Sequence, residues 1–384
     1  MEGREDMPGI KGMARSKEHN NKIKIAALKN KSGNYFKRLY PIVKRKCPTM
    51  ASKNKEKMKI LFKLSQNNQQ RQHEKQTWIF PIKLAMYATY LKQKGNYVVW
   101  DGQDEKGFNK IITNESQIDV DFLDLPPADR IFTDSFNHKW QNNGNFKYHP
   151  GTYIQAADGC WWGRCLFCVE RGRKYQIRPV NAVIEEIEEC KSLGFREIFD
   201  DSGSFPFGNW LNEFCKKKRK IDIPMGCNMR MIDLDWKMLK DAGFRMILFG
   251  LESANDDTLI KINKGLLSEH HKHIIDAAKA GLDCHIAYMV SYPWETLKEE
   301  MNTIKLVRWL LRKGYAKTAQ CSVFTTPDGR YFPEKAYLTK KLYNVAFMPD
   351  FWYNKIRTIK DIDDWKYFIR SIKEGIRSKW IKQK

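Results

Sequence analysis

No stretch of this sequence reaches the run of about 18 apolar residues that a membrane-spanning helix needs, so membrane insertion is not expected. The opening residues, MEGREDMPGIKGMARSK, lack the apolar segment of a secretory signal. A disulfide framework is missing too. The nine cysteines are odd in number and scattered from Cys47 to Cys321. These absences point to a reducing cytoplasm, where clustered cysteines serve as metal ligands or redox groups. Acidic residues are outnumbered, 45 against 68 basic ones, for a net charge of +23. The surplus sits at the ends, about +12 in the first 60 residues and about +8 in the last 50. The nearly neutral middle argues against a long basic nucleic-acid groove there. Nucleic acid held by the basic ends is open, but solvated tails are favoured.

The 42% apolar content suits a globular chain with a sizeable core. Residues 1–57 are rich in Lys, Asn and Ser and read as a basic, disordered leader; a translation start at Met50 or Met58 stays open. The pattern then changes. MKILFKLS reads as a strand, IFPIKLAMYATYLKQKG as a helix stopped by Gly95, and NYVVWDG as a second strand. Residues 58–135 thus hold one short β-α-β unit and a linker. From Tyr153 strand and helix patterns alternate, with strands at YIQAAD, EIFDD, IPMGCN, RMILFG, CHIAYMV and TAQCSVF. Six β-α repeats over residues 150–330 predict an α/β fold, a parallel sheet curled into a partial (β/α)6 TIM-like barrel. Sites in such folds collect at the C-terminal strand ends. Residues 331–384 are helical, aromatic and basic, and read as a cap on the barrel.

Directly after the first of these strands comes GCWWGRCLFC, with Cys160, Cys165 and Cys168 spaced C-x4-C-x2-C. A structural zinc site takes four ligands, usually as two C-x2-C knuckles, and no second knuckle exists. A [4Fe–4S] cube normally takes four thiolates; three suit a cluster with one iron left open to a chelating ligand. Structural zinc and a metal-free relic are the competing readings.

The loop, its place after the first strand and the β-α repeats resemble the radical S-adenosylmethionine (SAM) superfamily. EIFDDSGSF, CNMR, FGLESANDDTLIKINKG, AYMVSYPWET and TTPDGRYF resemble strand-end segments of the branch with an N-terminal cobalamin-binding domain. The resemblance implies that Cys160, Cys165 and Cys168 hold a [4Fe–4S] cluster and that SAM chelates the open iron. It implies that Phe167 and Met289 lie against the adenine. Glu252 and Ser253 would meet ribose hydroxyls or the methionine amine, Asp201 and Ser202 would hold the SAM amino group, and Arg230 would pair with its carboxylate. An electron donor such as flavodoxin or ferredoxin and an unknown substrate complete the implied set. The chain departs from the family in three places. One residue is added to the common C-x3-C-x2-C spacing. Ser291 and Trp294 stand where the branch carries glycines. The cobalamin domain is shortened, and its Asp-x-His-x-x-Gly motif is missing; His73 and His138 lie in other contexts. The unit therefore reads as a truncated remnant, and cobalamin is not expected to bind.

Plainer readings stand beside these. Asp200 and Asp201 also suit loop or cap hydrogen bonds, Glu252 and Ser253 a structural turn, and Arg230 an ion pair. In HHKH, only His270 and His273 share a helix face, so a solvated face is expected rather than a metal site. Cys190, Cys215, Cys227, Cys284 and Cys321 read as core residues. Two other functions remain in view: a tRNA-modifying methylthiotransferase-like enzyme, and a non-catalytic, metal-stabilised nucleic-acid-binding protein.

Overall fold

The computed structural model describes residues 57–64, 79–141, 145–327 and 348–380. The basic leader up to Glu56, Cys47, His73 and the start of the C-terminal segment lie outside them.

The N-terminal unit consists of β1 (Lys59–Phe62), α1 (Ile82–Gln93), β2 (Tyr97–Trp100) and β3 (Lys110–Ile112). Its parallel sheet has the order β2-β1-β3. The sequence reading missed β3, whose three residues are too few to show a period. A short helix, α2 (His138–Gln141), leads into the core.

Here the expected first strand divides. β4 (Gly151–Ile154) belongs to the main sheet, whereas β5 (Ala157–Asp158) turns away and pairs antiparallel with β6 (Gln176–Ile177). The chain continues through α3 (Val180–Ser192), β7 (Glu197–Asp200), α4 (Asn209–Lys218), β8 (Met225–Met229), α5 (Trp236–Asp241) and β9 (Phe244–Glu252). It ends the core with α6 (Asp256–Lys261), α7 (Lys272–Lys279), β10 (Asp283–Val290), α8 (Leu297–Lys313) and β11 (Thr318–Val323). The six main strands are all parallel, in the order β11-β10-β9-β8-β7-β4, which is chain order read backwards. This is the curled partial barrel that six consecutive β-α units build.

Local chemistry sets the element ends. α8 starts at a capping box between Thr296 and Glu299 and stops at Gly314, whose φ of +79° suits glycine at a helix C-terminus. Strand alternation sorts the two faces of the sheet. Cys284, Ile286, Tyr288 and Val290 of β10 join the helical layer in one core. On the other face Tyr153, Phe199 and Met246 pack with Ile60, Phe62, Ala85 and Met86 of the N-terminal unit in a second core. Burial of Ile60, Phe62 and Met86 contributes about 1.5–3 kcal/mol each, so the N-terminal unit is held against the inner face of the barrel. Two further helices, α9 (Pro349–Arg357) and α10 (Ile362–Trp380), form the cap. Asn354 Nδ2 donates to Ala316 O at 2.8 Å, and Lys147 Nζ lies 2.8 Å from an Asp364 carboxylate oxygen. Both contacts fall just before strands begin, so the cap covers the N-terminal strand ends. The C-terminal ends, where the cysteine loop lies, face the other way.

Candidate functional site

The cysteine loop is the tip of the β5–β6 hairpin. Gly159 has φ +79°, and a Cβ there would meet Lys174 O at 2.6 Å, so only glycine lets the two arms come this close. Within the tip, Cys168 N donates to Cys165 O at 3.2 Å and Gly172 N to Gly163 O at 2.9 Å. Leu166 N donates to Ile262 O at 2.9 Å, which ties the tip to the end of α6. The base is held from β7: an Asp200 carboxylate oxygen accepts from Ala156 N at 2.7 Å, and Ser202 Oγ accepts from Ala157 N at 2.8 Å. Asp200 is fully buried, and this burial pushes its pKa up to about 6. From the N-terminal unit, Lys83 Nζ pairs with Asp158 at 2.6 Å, two residues before Cys160.

Cys165 is buried, and Cys160 and Cys168 are partly buried. Burial pushes the Cys165 and Cys168 thiols up; Lys264 and Arg230 pull Cys165 the other way, and the Glu170 amide, which donates to Cys168 Sγ at 3.4 Å, does so for Cys168. Among the described residues no three His, Cys, Asp or Glu are placed to hold a metal ion.

Arg230, at the end of β8, lies 5.0 Å from the ring centroids of both Trp161 and Trp162. It donates from Nη2 to Lys264 O, while its buried Nε has no hydrogen-bond partner among the described residues. Its ion-pair reading is not realised, since no carboxylate among the described residues reaches it. Trp161 Nε1 donates to Ser204 Oγ at 3.1 Å and Trp162 Nε1 to Asn263 O at 2.8 Å. Glu252, at the end of β9, adopts φ +62°, a left-handed conformation that is costly for a residue with a Cβ. Lys264 Nζ reaches its Oε1 at 2.8 Å in a buried pair. Gly250 makes room for that pair: a Cβ at this position would sit 2.3 Å from Glu252 Oε1 and 2.7 Å from Lys264 Nζ.

Beside these groups lies an apolar cluster. Phe167 and Met289 meet there with Leu259, Ile262, Tyr292, Trp294 and Phe324. Tyr292 is 3% exposed, yet its hydroxyl has no partner among the described residues. Trp294 Nε1 donates to Thr258 Oγ1 at 3.1 Å, which fixes the indole where a glycine was expected.

The structure thus brings Cys160, Cys165, Cys168, Phe167, Arg230, Glu252 and Met289 around one region. Asp201 donates its amide to Ile154 O at 2.9 Å next to the hairpin base. Ser202 and Ser253 are fully buried. Ser202 Oγ holds the hairpin, and Ser253 Oγ donates to Glu295 Oε1 at 2.9 Å and accepts from Asn255 N at 3.1 Å. Sequence reasoning missed Lys264 and Tyr292. Lys264 lies in the quoted NKG, and its only signal was a cation just before a glycine. The five remaining described cysteines are buried in the core. His270 and His271 bond the turn at Leu267 and Ser268. A cleft of about 600 Å³ is lined by Asp256, Thr296, Glu299 and Asn302, where Asp256 accepts from Ser268 N at 2.7 Å and Glu299 from Thr296 N at 2.7 Å.

Unpartnered buried polar atoms beside three thiols are what a polar cofactor next to a cluster requires, so the residues present fit such a pair. Residues 154–307 match the family model described as the Radical SAM superfamily. An uncharacterized methyltransferase of Pyrococcus horikoshii is 27% identical over 221 residues, 52% of this chain and 43% of that protein. The bacteriochlorophyllide d C-8(2)-methyltransferase of Chlorobaculum tepidum is 25% identical over 174 residues, 40% of this chain and 38% of that protein. The chain therefore spans less than half the length of these curated relatives. Among solved structures, the radical SAM methyltransferase TsrM of Kitasatospora setae, with cobalamin and a [4Fe–4S] cluster bound, aligns with a TM-score of 0.40 and 19% identity, covering 44% of this chain and 36% of that one. The expectation that cobalamin does not bind this chain is not supported by the comparisons. No helix of the described residues is long and apolar enough to cross a membrane. Strand order, a cysteine hairpin at the C-terminal strand ends and the family match agree: the β-α core of this chain, residues 154–307, is that of a radical SAM superfamily match.

Proposed function

We propose that this chain is a radical SAM enzyme acting on an unidentified substrate, with Cys160, Cys165 and Cys168 holding a [4Fe–4S] cluster and SAM at its fourth iron. One observation carries the reading. Three thiols on one hairpin tip adjoin buried polar atoms, Arg230 Nε and Tyr292 OH, that have no partner among the described residues. Cys160, Cys165 and Cys168 would hold such a cluster, which when bound would supply the electron for reductive cleavage of SAM and so the means of radical chemistry on the substrate.

This chain's residues bind, orient and exclude water. Arg230 offers N–H to the carboxylate of SAM, a geometry its planar fork suits. Glu252, held by Lys264, offers a carboxylate oxygen to a ribose hydroxyl or to the amine. Phe167 and Met289 form the apolar wall for adenine, with Tyr292 as a polar contact. Trp161 and Trp162 shield the hairpin from solvent. Asp201, Ser202 and Ser253 act by positioning the backbone around the cofactor. A protein electron donor of the flavodoxin or ferredoxin kind supplies the reducing equivalent. Methyl transfer is the first outcome to assay, because both curated relatives are named as methyltransferases.

The test is electron paramagnetic resonance on anaerobically reconstituted, dithionite-reduced protein. A reduced [4Fe–4S] signal that changes on adding SAM is expected, with its loss in Cys165→Ala. No cluster, or a signal indifferent to SAM, sinks the proposal.

A further inference from the structure

The C-terminal cap turns part of its apolar surface away from the core. In α10, Ile362, Trp365 and Ile369 recur three and four residues apart, a spacing that sets them in one row. The row faces outward: these three, with Tyr353 and Ile356 of α9, are 46–66% exposed. The inward side is filled by other residues. Trp352 meets Phe368 with 6.2 Å between ring centroids, and Lys355 Nζ lies 3.7 Å from the centre of the Tyr367 ring. The acids at the start of α10 also reach toward the barrel. Asp361 and Asp364 lie 3.5 and 2.8 Å from Lys147 Nζ, and Asp363 lies 3.3 Å from Arg196. That leaves the exposed Arg357, Lys360 and Lys373 without an ion pair among the described residues, and Lys366 with a 3.5 Å contact to Asp363. From Trp365 to Lys384 the sequence holds seven cations and one acid.

We propose that this outer face of α9 and α10 docks on an anionic lipid bilayer and lies along its surface. An apolar row flanked by unpaired cations is the makeup of a helix that settles between headgroups and acyl chains. The isoleucines and Trp365 enter the acyl boundary, while the lysines and Arg357 meet the lipid phosphates. Nucleic acid would use the cations but leave the apolar row in water. A second copy would set two like-charged faces against each other. The cap covers the N-terminal strand ends, so a bilayer there leaves the cysteine loop open to solution. The inference goes beyond the chemistry proposed above and does not depend on a cluster being bound.

The test is co-sedimentation of the full chain with two kinds of vesicle, phosphatidylcholine alone and phosphatidylcholine with equimolar phosphatidylglycerol. Binding to the anionic vesicles only is expected, weakened by high salt. Trp365→Ser/Ile369→Ser and, separately, Lys366→Glu/Lys373→Glu are each expected to lower that affinity about ten- to a hundredfold, with circular dichroism unchanged. The control, Lys216→Glu/Lys220→Glu, changes two exposed cations outside the cap and is expected to bind as the wild type does. Equal binding to both vesicles, or none to the anionic ones, overturns the proposal. Full binding in either cap variant, or an equal loss in the control, overturns it too, because the attraction then lies elsewhere on the chain. So does single-stranded RNA that outcompetes the anionic vesicles.

Discussion

The two ends of the barrel solve opposite problems with the same kinds of residue. At the N-terminal strand ends, charges are buried and partnered. Glu197 accepts Arg245 Nε, Lys147 N at 2.6 Å and Tyr148 N at 2.8 Å, and Arg245 also reaches Asp283 at 3.1 Å and Asn145 O at 2.7 Å. At the C-terminal ends, strain and loose polar ends collect. Glu252 and Ser291 adopt φ +62° and +63°, and Arg230 Nε, Tyr292 OH and Ser291 Oγ lack partners among the described residues. A saturated network holds the fold together, whereas an unsaturated one is ready to receive a ligand. The separation is incomplete, because His149 Nε2, His285 Nε2 and Arg370 Nε at the lower end are also without partners there.

The sharpest way to break the comparison is at the saturated end. Glu197→Ala leaves the Arg245 guanidinium buried with fewer partners and strands two amides. Loss of such a buried partner costs about 3–5 kcal/mol, read as a lower urea midpoint. A shift no larger than that of an exposed substitution would deny that this end carries stability. At the unsaturated end, Gly250→Ala drives a methyl into the Glu252–Lys264 pair. SAM affinity should fall about tenfold, or about 1.4 kcal/mol, with a smaller urea shift than Glu197→Ala; equilibrium dialysis of loaded protein measures it. Equal SAM affinity would remove the pair from the site.

The last effect concerns a slope. Lys355 lies under the barrel, and burial lowers its pKa from 10.5 to about 7, with Asp283 opposing and Arg245, Lys317 and Arg370 reinforcing the shift. Between those two values the unfolded chain binds the proton that the folded chain has released. This group therefore makes stability rise with pH from 7 toward 10.5 and adds no slope below 7. Lys355→Met should flatten the curve of stability against pH over that window, measured by urea titrations at several pH values. An unchanged slope would mean that the lysine keeps its charge when buried.

Much of the fold was legible because the β-α repeats are long enough to show their periods, and because glycines such as Gly314 mark where helices stop. β3 and the β5–β6 hairpin escaped notice, since strands of two or three residues carry no measurable alternation. The three cysteines declared themselves by spacing. Lys264 did not, because its role depends on Asn263 and Gly265, whose φ of +53° and +65° reverse the chain behind α6 and return the side chain to Glu252. Nothing in the sequence singled out Tyr292, and only the absence of a hydroxyl partner among the described residues sets it apart.

By itself, then, the sequence determined the parallel β-α architecture, the loop that carries three thiols, and the face of the barrel on which they lie. These follow from local periodicity and spacing, which act over a few residues. Tertiary structure alone decided that Lys83 grips the hairpin base, that Lys264 returns to Glu252, and that the N-terminal unit packs against the inner face of the sheet. Those contacts join residues distant in the chain, and their energies depend on burial and geometry that exist only once the barrel has closed around them.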